Sequence, residues 1–314
     1  MPNAAPLPPL AIIAGPTASG KSALALALAE RTGGIIVNAD SAQVYRDLSI
    51  VSARPTGEDE ARAEHRLYGY RDGAQPCSAA DWAADARATI AEIHHALRLP
   101  ILVGGTGLYI RTLLHGIAPV PPIDEDVRAK VRGAAVEANA HALAYEDPEA
   151  AARLNRGDAQ RIARALEVIR STGRSILSWQ AERSGGVGDT VTVAACVLLP
   201  PRAWLNERCG GRFAHMMNAD GVAEIARLLA RDLDASLPVM KAIGVRDIAG
   251  FVRGQLTREQ AIASGQLATR RYAKHQYTWF RNQSAHGWPR VEEALASEAQ
   301  VAALAVRVAE AVTL

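Results

Sequence analysis

The stretch Leu10-Ala-Ile-Ile-Ala-Gly-Pro-Thr-Ala-Ser-Gly-Lys-Ser22 decides the fold class of this 314-residue chain. Its first five residues form a short apolar run typical of a buried strand, and the glycine-free run at 21–31 is typical of a helix. Between them, residues 15–22 match the spacing G-x-x-x-x-G-K-[ST]. The glycines allow a tight loop whose backbone N–H groups face phosphate oxygens at the start of a helix. The order strand, phosphate loop and helix therefore predicts an α/β fold that binds a phosphorylated ligand.

Apolar runs elsewhere in the chain predict the rest of a parallel sheet. Further strands are predicted at 35–37, 101–103 and 191–199, and a helical stretch is predicted at 79–97. Strands that alternate with helices indicate a parallel sheet. We therefore predict an α/β fold in which a P-loop NTPase-like parallel sheet core carries flanking helices and a small helical insertion domain.

A proline cluster at 118–122 separates the first part of this core from a different kind of sequence. The residues after it, up to about 179, are rich in Ala, Arg and Glu and have little strand character, which predicts helices. We place the core at 1–120 and 189–314, with basic aromatic helices in its second part, and the insertion at 121–188. Residues 203–281 are predicted to be helical, with breaks at Gly210-Gly211, Pro238 and Gly244.

Composition and charge limit the classes of protein that this chain can represent. A content of 49% hydrophobic and 22% charged residues excludes a disordered tail, a collagen-like rod and a disulfide-dense miniprotein. The net charge of +2 conceals an uneven distribution, because residues 201–290 carry 14 Lys and Arg against 7 Asp and Glu. This basic segment suits a polyanionic partner.

Cysteine spacing and the lack of long apolar runs predict the cellular environment. Cys77, Cys196 and Cys209 have no C-x-x-C spacing, so neither a zinc site nor a disulfide framework is predicted. Nowhere do 18 apolar residues follow one another, and the first residues lack the basic segment of a signal peptide. We expect a cytoplasmic protein without a membrane segment.

Polar residues at the predicted strand ends are expected to converge on the phosphate loop, because ligands of open parallel sheets bind beyond the carboxyl ends of the strands. Asp40 follows the second strand, and Thr106 lies in a glycine-rich turn after the third. Lys21 would add a positive charge, and Ser22 would hold Mg²⁺ between the phosphates. Three roles are open to Asp40: partner of Mg²⁺, general base, or N-cap of the next helix. For Thr106, a simple left-handed turn is the alternative to a substrate contact.

The reaction class remains open at this point, because phosphate loops serve kinases, ATPases and GTPases alike. No Asp follows the strand at 101–103, where an ATPase would hold its metal-bound water, and this argues against an NTPase. Two alternatives are a small-molecule kinase with Asp40 as its base and an ATP-driven RNA-binding switch.

Six blocks of sequence, in order along most of the chain, carry a more specific pattern. They are Gly15-Pro-Thr-Ala-Ser-Gly-Lys-Ser22, Asn38-Ala-Asp-Ser-Ala-Gln-Val-Tyr45, Leu102-Val-Gly-Gly-Thr-Gly-Leu-Tyr109, Asp158-Ala-Gln-Arg-Ile-Ala-Arg-Ala-Leu-Glu167, Lys241-Ala-Ile-Gly-Val-Arg246 and Thr269-Arg-Arg-Tyr-Ala-Lys-His-Gln-Tyr-Thr-Trp-Phe-Arg281. Together they resemble the bacterial tRNA dimethylallyltransferase family, also called tRNA isopentenyltransferases. The resemblance implies a monomeric, Mg²⁺-dependent prenyltransferase. Its expected reaction moves a dimethylallyl group from dimethylallyl diphosphate to N6 of the adenosine 3′ of the anticodon, in tRNAs reading codons that start with U.

The resemblance also implies roles for individual residues. Asp40 would be the general base for the N6 amine, Arg212 would contact the diphosphate with Arg208 as the competing candidate, and Thr106 would complete the catalytic set. The residues implied to hold the diphosphate are Gly15, Pro16, Thr17, Ala18, Ser19, Gly20, Lys21 and Ser22. Those implied to contact the tRNA anticodon stem-loop are Asp40, Ser41, Ala42, Gln43, Thr106, Arg128, Gln160, Arg161, Ile162, Ala163, Arg164, Lys241, Ala242, Ile243, Gly244, Val245, Arg246, Lys274 and Arg281. Tyr45, Trp82 and Tyr109 are either walls for the dimethylallyl group or aromatic core residues.

The segment 268–281 is suited to RNA on the basis of its residue types alone. It interleaves Arg, Lys and His with Tyr, Trp and Phe, and it contains no acid. Cationic side chains contact phosphates, and aromatic rings stack on bases. The alternative is an amphipathic helix with its aromatics in the core and its arginines in water.

Replacing Arg270 and Arg271 together by Ala should weaken tRNA binding and flatten its salt dependence by about one to two units of log–log slope. Fewer phosphate contacts release fewer counterions, so affinity then varies less with salt. Binding titrations at several salt concentrations measure the slope. A slope equal to that of the parent protein would show that these arginines do not face the RNA.

Overall fold

The computed structural model describes residues 6–313 of the chain. The described residues divide into two compact units, which we call the core unit (6–114 with 187–313) and the insertion unit (115–186). No helix in the described part of the chain is long and apolar enough to cross a membrane.

A parallel sheet of six strands forms the centre of the core unit. The strands are β1 (Pro9–Ala14), β2 (Ile35–Asn38), β3 (His65–Arg66), β4 (Pro100–Gly104), β5 (Thr192–Leu198) and β6 (Arg290–Val291). They lie in the order β3-β2-β4-β1-β5-β6, and every pairing is parallel. The predicted α/β fold with a P-loop NTPase-like parallel sheet is confirmed. Because parallel strands end at the same edge, the loops after β1, β2 and β4 lie side by side.

Helices flank this sheet and also make up the insertion unit. Numbered along the chain, they are α1 (Lys21–Thr32), α2 (Gly57–Arg62), α3 (Ala79–His95), α4 (Gly107–His115), α5 (Glu125–Gly133), α6 (Val136–Glu146), α7 (Pro148–Ala152), α8 (Ala159–Thr172), α9 (Ile176–Ala181), α10 (Arg202–Met216), α11 (Ala219–Ala230), α12 (Val245–Val252), α13 (Arg258–Gln283) and α14 (Glu298–Thr313). A 3₁₀ turn at Pro238–Lys241 precedes α12.

Strand β1 is buried on both faces, which explains its unbroken apolar sequence. Leu10 and Ile12 belong to one apolar cluster, whereas Ala11 and Ile13 belong to the cluster on the opposite face. This division follows from the two-residue period of a strand. Helices α1 and α14 contribute to the second cluster, while α3, α4 and α10–α13 contribute to the first. The sheet, with the loops that follow β1, β2 and β4, is therefore held between two packed layers.

The insertion unit has a small apolar core of its own. Val131 of α5, Leu143 of α6, and Ile162 and Leu166 of α8 are buried together. The buried carboxylate of Glu167 accepts a hydrogen bond from Arg132 Nε at 2.9 Å. This unit is helical, as the Ala-, Arg- and Glu-rich composition of the segment predicted.

The break predicted at Gly210-Gly211 is wrong, because α10 continues through both residues. Gly210 is buried, and its carbonyl oxygen accepts a hydrogen bond from Gln266 Nε2 of α13 at 3.1 Å. A glycine inside a helix costs only about 1 kcal/mol relative to alanine. Packing between α10 and α13 outweighs that cost. The strands β3 and β6 were not predicted, since two residues at a sheet edge carry no recognisable pattern.

Replacing Gly265 by Ala should destabilise the core unit by about 1–3 kcal/mol. A Cβ at this buried position would lie 1.9 Å from Cζ of Phe213, which is itself fully enclosed. Gly211→Ala is the matched control, because nothing lies within 4 Å of a Cβ there. Helix propensity alone predicts that the control gains about 0.5–1 kcal/mol. Urea unfolding measures the free energy of unfolding of both variants. If Gly265→Ala is as stable as Gly211→Ala, the packing of Phe213 against α13 does not require a glycine at 265.

Candidate active site

The phosphate loop joins β1 to α1 in a conformation that its glycines permit. Gly15 and Gly20 have φ angles of 149° and 97°, which other residues rarely adopt. A Cβ on Gly15 would lie 2.5 Å from the carbonyl oxygen of Leu198. Gly20 is the N-cap of α1 and provides no side-chain cap, so the first N–H groups of the helix remain available to an anion. The hydroxyl of Ser19 is buried in the loop without a hydrogen-bond partner.

Two half-buried cations and one half-buried carboxylate face each other beside this loop. Burial lowers the pKa of Lys21 to about 8, an effect that Asp40 opposes and that the positive charge of Arg212 strengthens. Burial also lowers the pKa of the Arg212 guanidinium, again opposed by Asp40. Lys21 Nζ donates to the carbonyl oxygen of Pro16 at 2.6 Å. The trio carries an excess positive charge in a partly desolvated place, which favours binding of an anion.

Asp40 is fixed at the end of β2 by the side chain of Asn38. The Asp40 N–H donates to Asn38 Oδ1 at 2.8 Å, and Asn38 Nδ2 donates to the Asp40 carbonyl at 3.0 Å. Asp40 Oδ1 accepts the N–H of Ala42 at 3.0 Å, within a turn at 41–44. No helix begins there, so the N-cap role that the sequence left open is excluded. One carboxylate oxygen is engaged in this turn, and the half-buried group faces the phosphate loop.

The glycines around Thr106 serve close packing rather than a left-handed turn, since none of them has a positive φ. A Cβ on Gly104 would lie 2.0 Å from the carbonyl oxygen of Ala39, and one on Gly107 would lie 2.2 Å from the Trp279 ring. The Thr106 N–H donates to that same Ala39 oxygen at 3.1 Å. Thr106 Oγ1 accepts the N–H of Ser41 at 3.0 Å, so the hydroxyl lies next to the Asp40 turn.

Residues that the sequence did not single out complete the surroundings of Asp40. Burial and the Asp40 charge raise the pKa of Tyr68 and of Tyr272, and a hydrogen bond with the Thr106 side chain partly offsets the shift in Tyr272. Gln276 Oε1 accepts the N–H of Thr17 at 2.8 Å. These side chains come from distant parts of the chain. The only sequence feature that pointed to Tyr272 and Gln276 was their position within the block 269–281.

Two cavities meet at Asp40. The first, which we call the phosphate cavity, is lined by Thr17, Ala18, Ser19, Gly20, Lys21, Ser22, Ala23, Asp40, Gln43, Ala53, Tyr68, Val103, Gly104, Arg208 and Arg212. The second cavity is lined by Thr17, Asp40, Ser41, Ala42, Tyr45, Val51, Ser52, Cys77, Arg212, Met216, Pro238, Lys241, Ala242, Ile243, Thr269 and Tyr272. Thr17, Asp40 and Arg212 line both. A group bound in either cavity therefore reaches the same carboxylate and the same guanidinium.

Both arginine candidates of α10 reach the phosphate cavity. Arg212 Nη2 donates to the carbonyl oxygen of Ser52 at 3.1 Å, and Arg208 Nε donates to that of Ala18 at 3.1 Å. Arg208 also lies over the Trp204 ring. Arg212 lines the junction of the two cavities, whereas Arg208 lines the phosphate cavity alone.

The remaining residues implied to contact tRNA fall into separate groups. Lys241, Ala242 and Ile243 line the second cavity, whereas Val245 is buried in the core of α12. Gly244 has a φ of 93° and is the N-cap of α12, and Arg246 follows in its first turn. Lys274 and Arg281 are exposed on α13.

Arg128 and the residues at 160–164 belong to the insertion unit. Arg161 and Arg164 are well exposed on α8, with ion pairs to Asp158 and Glu167. Ile162 is buried in the core of that unit, so its side chain serves packing. The Nε of Arg128 is buried without a hydrogen-bond partner.

Of the three aromatic residues considered as walls, only Tyr45 lines the second cavity. Trp82 and Tyr109 are buried and stack on each other, with ring centroids 4.5 Å apart. Trp82 Nε1 donates to the carbonyl oxygen of Asn38 at 2.9 Å. These two rings support the strand end that carries Asp40.

A divalent cation fits the phosphate cavity only together with a phosphate ligand. Ser22 and Asp40 offer oxygen ligands there, and Mg²⁺ prefers one or two protein oxygens completed by phosphate oxygens and water. Within residues 6–313, no group of three or more His, Cys, Asp or Glu side chains is arranged to hold a metal ion by itself.

The fold and the site together define a class of protein. A phosphate loop at the carboxyl edge of a parallel sheet, facing a carboxylate and two half-buried cations, is typical of P-loop proteins that act on a phosphorylated ligand.

Comparison with known proteins identifies the family within this class. The family model described as IPP transferase matches residues 43–283. A protein of Sphingopyxis alaskensis named tRNA dimethylallyltransferase is 57% identical over 288 residues, covering 91% of this chain and 94% of that protein. A protein of the same name from Erythrobacter litoralis is 54% identical over 290 residues, which cover 91% of this chain and 92% of that protein. The crystal structure of the tRNA isopentenylpyrophosphate transferase from Bacillus halodurans matches this fold with a TM-score of 0.70 and a sequence identity of 31%. The match covers 97% of this chain and 96% of that one. The chain belongs to the IPP transferase family.

The lowered pKa of Lys21 predicts how diphosphate binding depends on pH. Below about pH 8 the ammonium is charged and attracts the anion, and above it the neutral amine does not. If only the charged form binds, inorganic diphosphate should bind about tenfold more weakly at pH 9 than at pH 7. Calorimetric titration measures this. Lys21→Arg, which stays charged throughout, is the control for ionisation of the ligand. The same pH dependence in both proteins would contradict the role of Lys21.

Proposed function

We propose that this protein transfers the dimethylallyl group of dimethylallyl diphosphate to N6 of the adenosine 3′ of the anticodon, in tRNAs reading codons that start with U, and releases diphosphate. The observation that carries this proposal is the junction of two cavities at Asp40 and Arg212. One cavity is built for phosphate groups. The other is mainly apolar and reaches the same carboxylate, as transfer between two substrates requires.

On the donor side, the chain's own groups stabilise a departing diphosphate. Loop residues 15–22 surround the phosphates with N–H groups, and Lys21 and Arg212 place positive charge where negative charge develops as the allylic C–O bond breaks. Arg208 supports the loop at Ala18. Mg²⁺, held by Ser22 and the phosphates, would neutralise further charge on the leaving group.

On the acceptor side, Asp40 accepts the proton that the N6 amine loses as its bond to carbon forms. The amine is a weak nucleophile because its lone pair is delocalised into the ring, so a positioned base is needed. An adenosine stacked in a tRNA loop has to leave the stack to enter a cavity in the protein. Thr106 and Ser41, bonded to each other beside Asp40, orient the entering base.

Cations suited to RNA phosphates are present in each of the two units. Lys241 at the second cavity and the exposed Lys274 and Arg281 of α13 offer cations in the core unit. Arg161 and Arg164 offer them in the insertion domain, which we place at 121–188. The enzyme acts as a monomer in the cytoplasm.

Labelled dimethylallyl diphosphate, tRNA and Mg²⁺ incubated with the protein test this proposal directly. Label should appear in the tRNA, and nuclease digestion should locate it on the adenosine 3′ of the anticodon. Absence of label from the tRNA would refute the proposal. ATP-dependent phosphorylation of a small molecule by the same preparation would instead identify a kinase.

Asp40→Asn should lower the rate of prenyl transfer by about 10²–10⁴-fold while leaving tRNA affinity within a few-fold of the parent. The amide oxygen can still accept the Ala42 N–H, so the turn is retained, but the amide cannot take up the proton. Single-turnover kinetics and tRNA titration measure the two quantities. Glu58→Gln, an exposed carboxylate on α2, is the control. A parental rate in Asp40→Asn would exclude Asp40 as the base.

A further inference from the structure

Gln276 of α13 connects two loops that come from adjacent strands. Its Oε1 accepts the N–H of Thr17 in the phosphate loop at 2.8 Å, and its Nε2 donates to the carbonyl oxygen of Gly105 at 2.9 Å. The side chain is 6% exposed. The first loop follows β1 and the second follows β4, and these strands pair in the sheet. One amide thus spans the gap between the two loops.

Only certain side chains can make both contacts. A glutamine amide carries an acceptor and donors on one rigid group, whereas a carboxylate only accepts. Burying such an amide is costly unless both ends are bonded, and here both are. Gly105 is part of the same arrangement, because a Cβ there would lie 2.2 Å from Nε2 of Gln276.

The two loops that Gln276 connects serve the two substrates in the proposed function. Thr17 lines both cavities at the phosphate loop. Thr106, next in sequence to Gly105, bonds Ser41 beside Asp40. The spacing of these loops therefore sets the distance from the allylic carbon to the N6 amine. Transfer between bound reactants is sensitive to such distances, and an error of about 1 Å can cost about 10²-fold in rate.

We propose that Gln276 is a positioning residue that holds the diphosphate-binding loop and the Asp40–Thr106 edge at reacting distance. This inference rests on the proposed function. It makes Gln276 important for the rate of transfer between bound substrates, and much less important for binding either of them. The residue itself touches neither reacting atom.

Gln276→Met, which is similar in length but makes neither hydrogen bond, is the principal test. Single-turnover prenyl transfer at saturating dimethylallyl diphosphate and tRNA should slow by about 10–100-fold. The affinity for inorganic diphosphate and the affinity for tRNA should each stay within about threefold of the parent. Gln276→Glu keeps the acceptor for Thr17 but cannot donate to Gly105, and it should lose rate to a similar extent.

Gln266→Met is the matched control on the same helix. Gln266 is half-buried, and its amide makes one hydrogen bond to a backbone carbonyl, that of Gly210. Gln266→Met should lower the melting temperature, because it removes a hydrogen bond between α13 and α10, without changing the transfer rate. Gly105→Ala disturbs the same contact from the opposite side without altering Gln276, and it should reproduce the loss of rate if Gln276→Met folds poorly.

Three results would overturn the inference while leaving the proposed function intact. The first is a parental transfer rate in folded Gln276→Met or Gly105→Ala. The second is a loss of rate matched by an equal loss of diphosphate affinity, which would make Gln276 only a part of the phosphate site. The third is an equal loss of rate in Gln266→Met. Failure of the parent protein to label tRNA would instead refute the proposed function itself.

Discussion

The active site depends on one close backbone approach, between Gly104 and the carbonyl oxygen of Ala39. Strands β2 and β4 pair in parallel with Asn38 opposite Val103, so the residues that follow each of them face one another. A side chain at Gly104 would place its Cβ 2.0 Å from the Ala39 oxygen. Because that space stays free, the Thr106 N–H reaches the same oxygen at 3.1 Å. The register of two strands thereby brings the Asp40 turn and the Thr106 turn together.

Helix α13 closes the glycine turn from the other side. Tyr272, Gln276 and Trp279 are spaced four and three residues apart, so they project from one face of the helix. The Tyr272 hydroxyl lies beside the Thr106 side chain, Gln276 donates to the Gly105 carbonyl, and the Trp279 ring packs on Gly107. Each glycine removes a side chain where α13 or Ala39 approaches. The sequence G-G-T-G is therefore explained by packing on both sides of one threonine.

The sequence predicted those parts of the site that lie in continuous motifs beside strands. The phosphate loop, Asp40 and Thr106 each follow an apolar run, and a parallel sheet brings such positions to one edge. Gln276 could not be assigned in the same way, because its contacts to Thr17 and Gly105 span 259 and 171 residues of sequence. The reason for the glycines beside Thr106 was also missed, since φ and close approach are properties of the folded backbone. The prediction of a break in α10 was wrong for a similar reason, because packing on α13 overrides the low helix propensity of glycine.

The electrostatics of the site explain how a cationic pocket is stable before its anion arrives. Burial penalises the charge on both Lys21 and Arg212, and Asp40 offsets part of that penalty. Carbonyl oxygens give both cations a further partner, since Lys21 donates to that of Pro16 within the loop and Arg212 donates to that of Ser52. The segment before Ser52 is held in turn by Glu224, whose buried carboxylate accepts three successive backbone N–H groups at 2.6–2.9 Å. Neutral carbonyl oxygens are weaker partners for cations than ionised phosphate oxygens. An arriving diphosphate can therefore replace these carbonyl oxygens at both cations without leaving either charge unpaired.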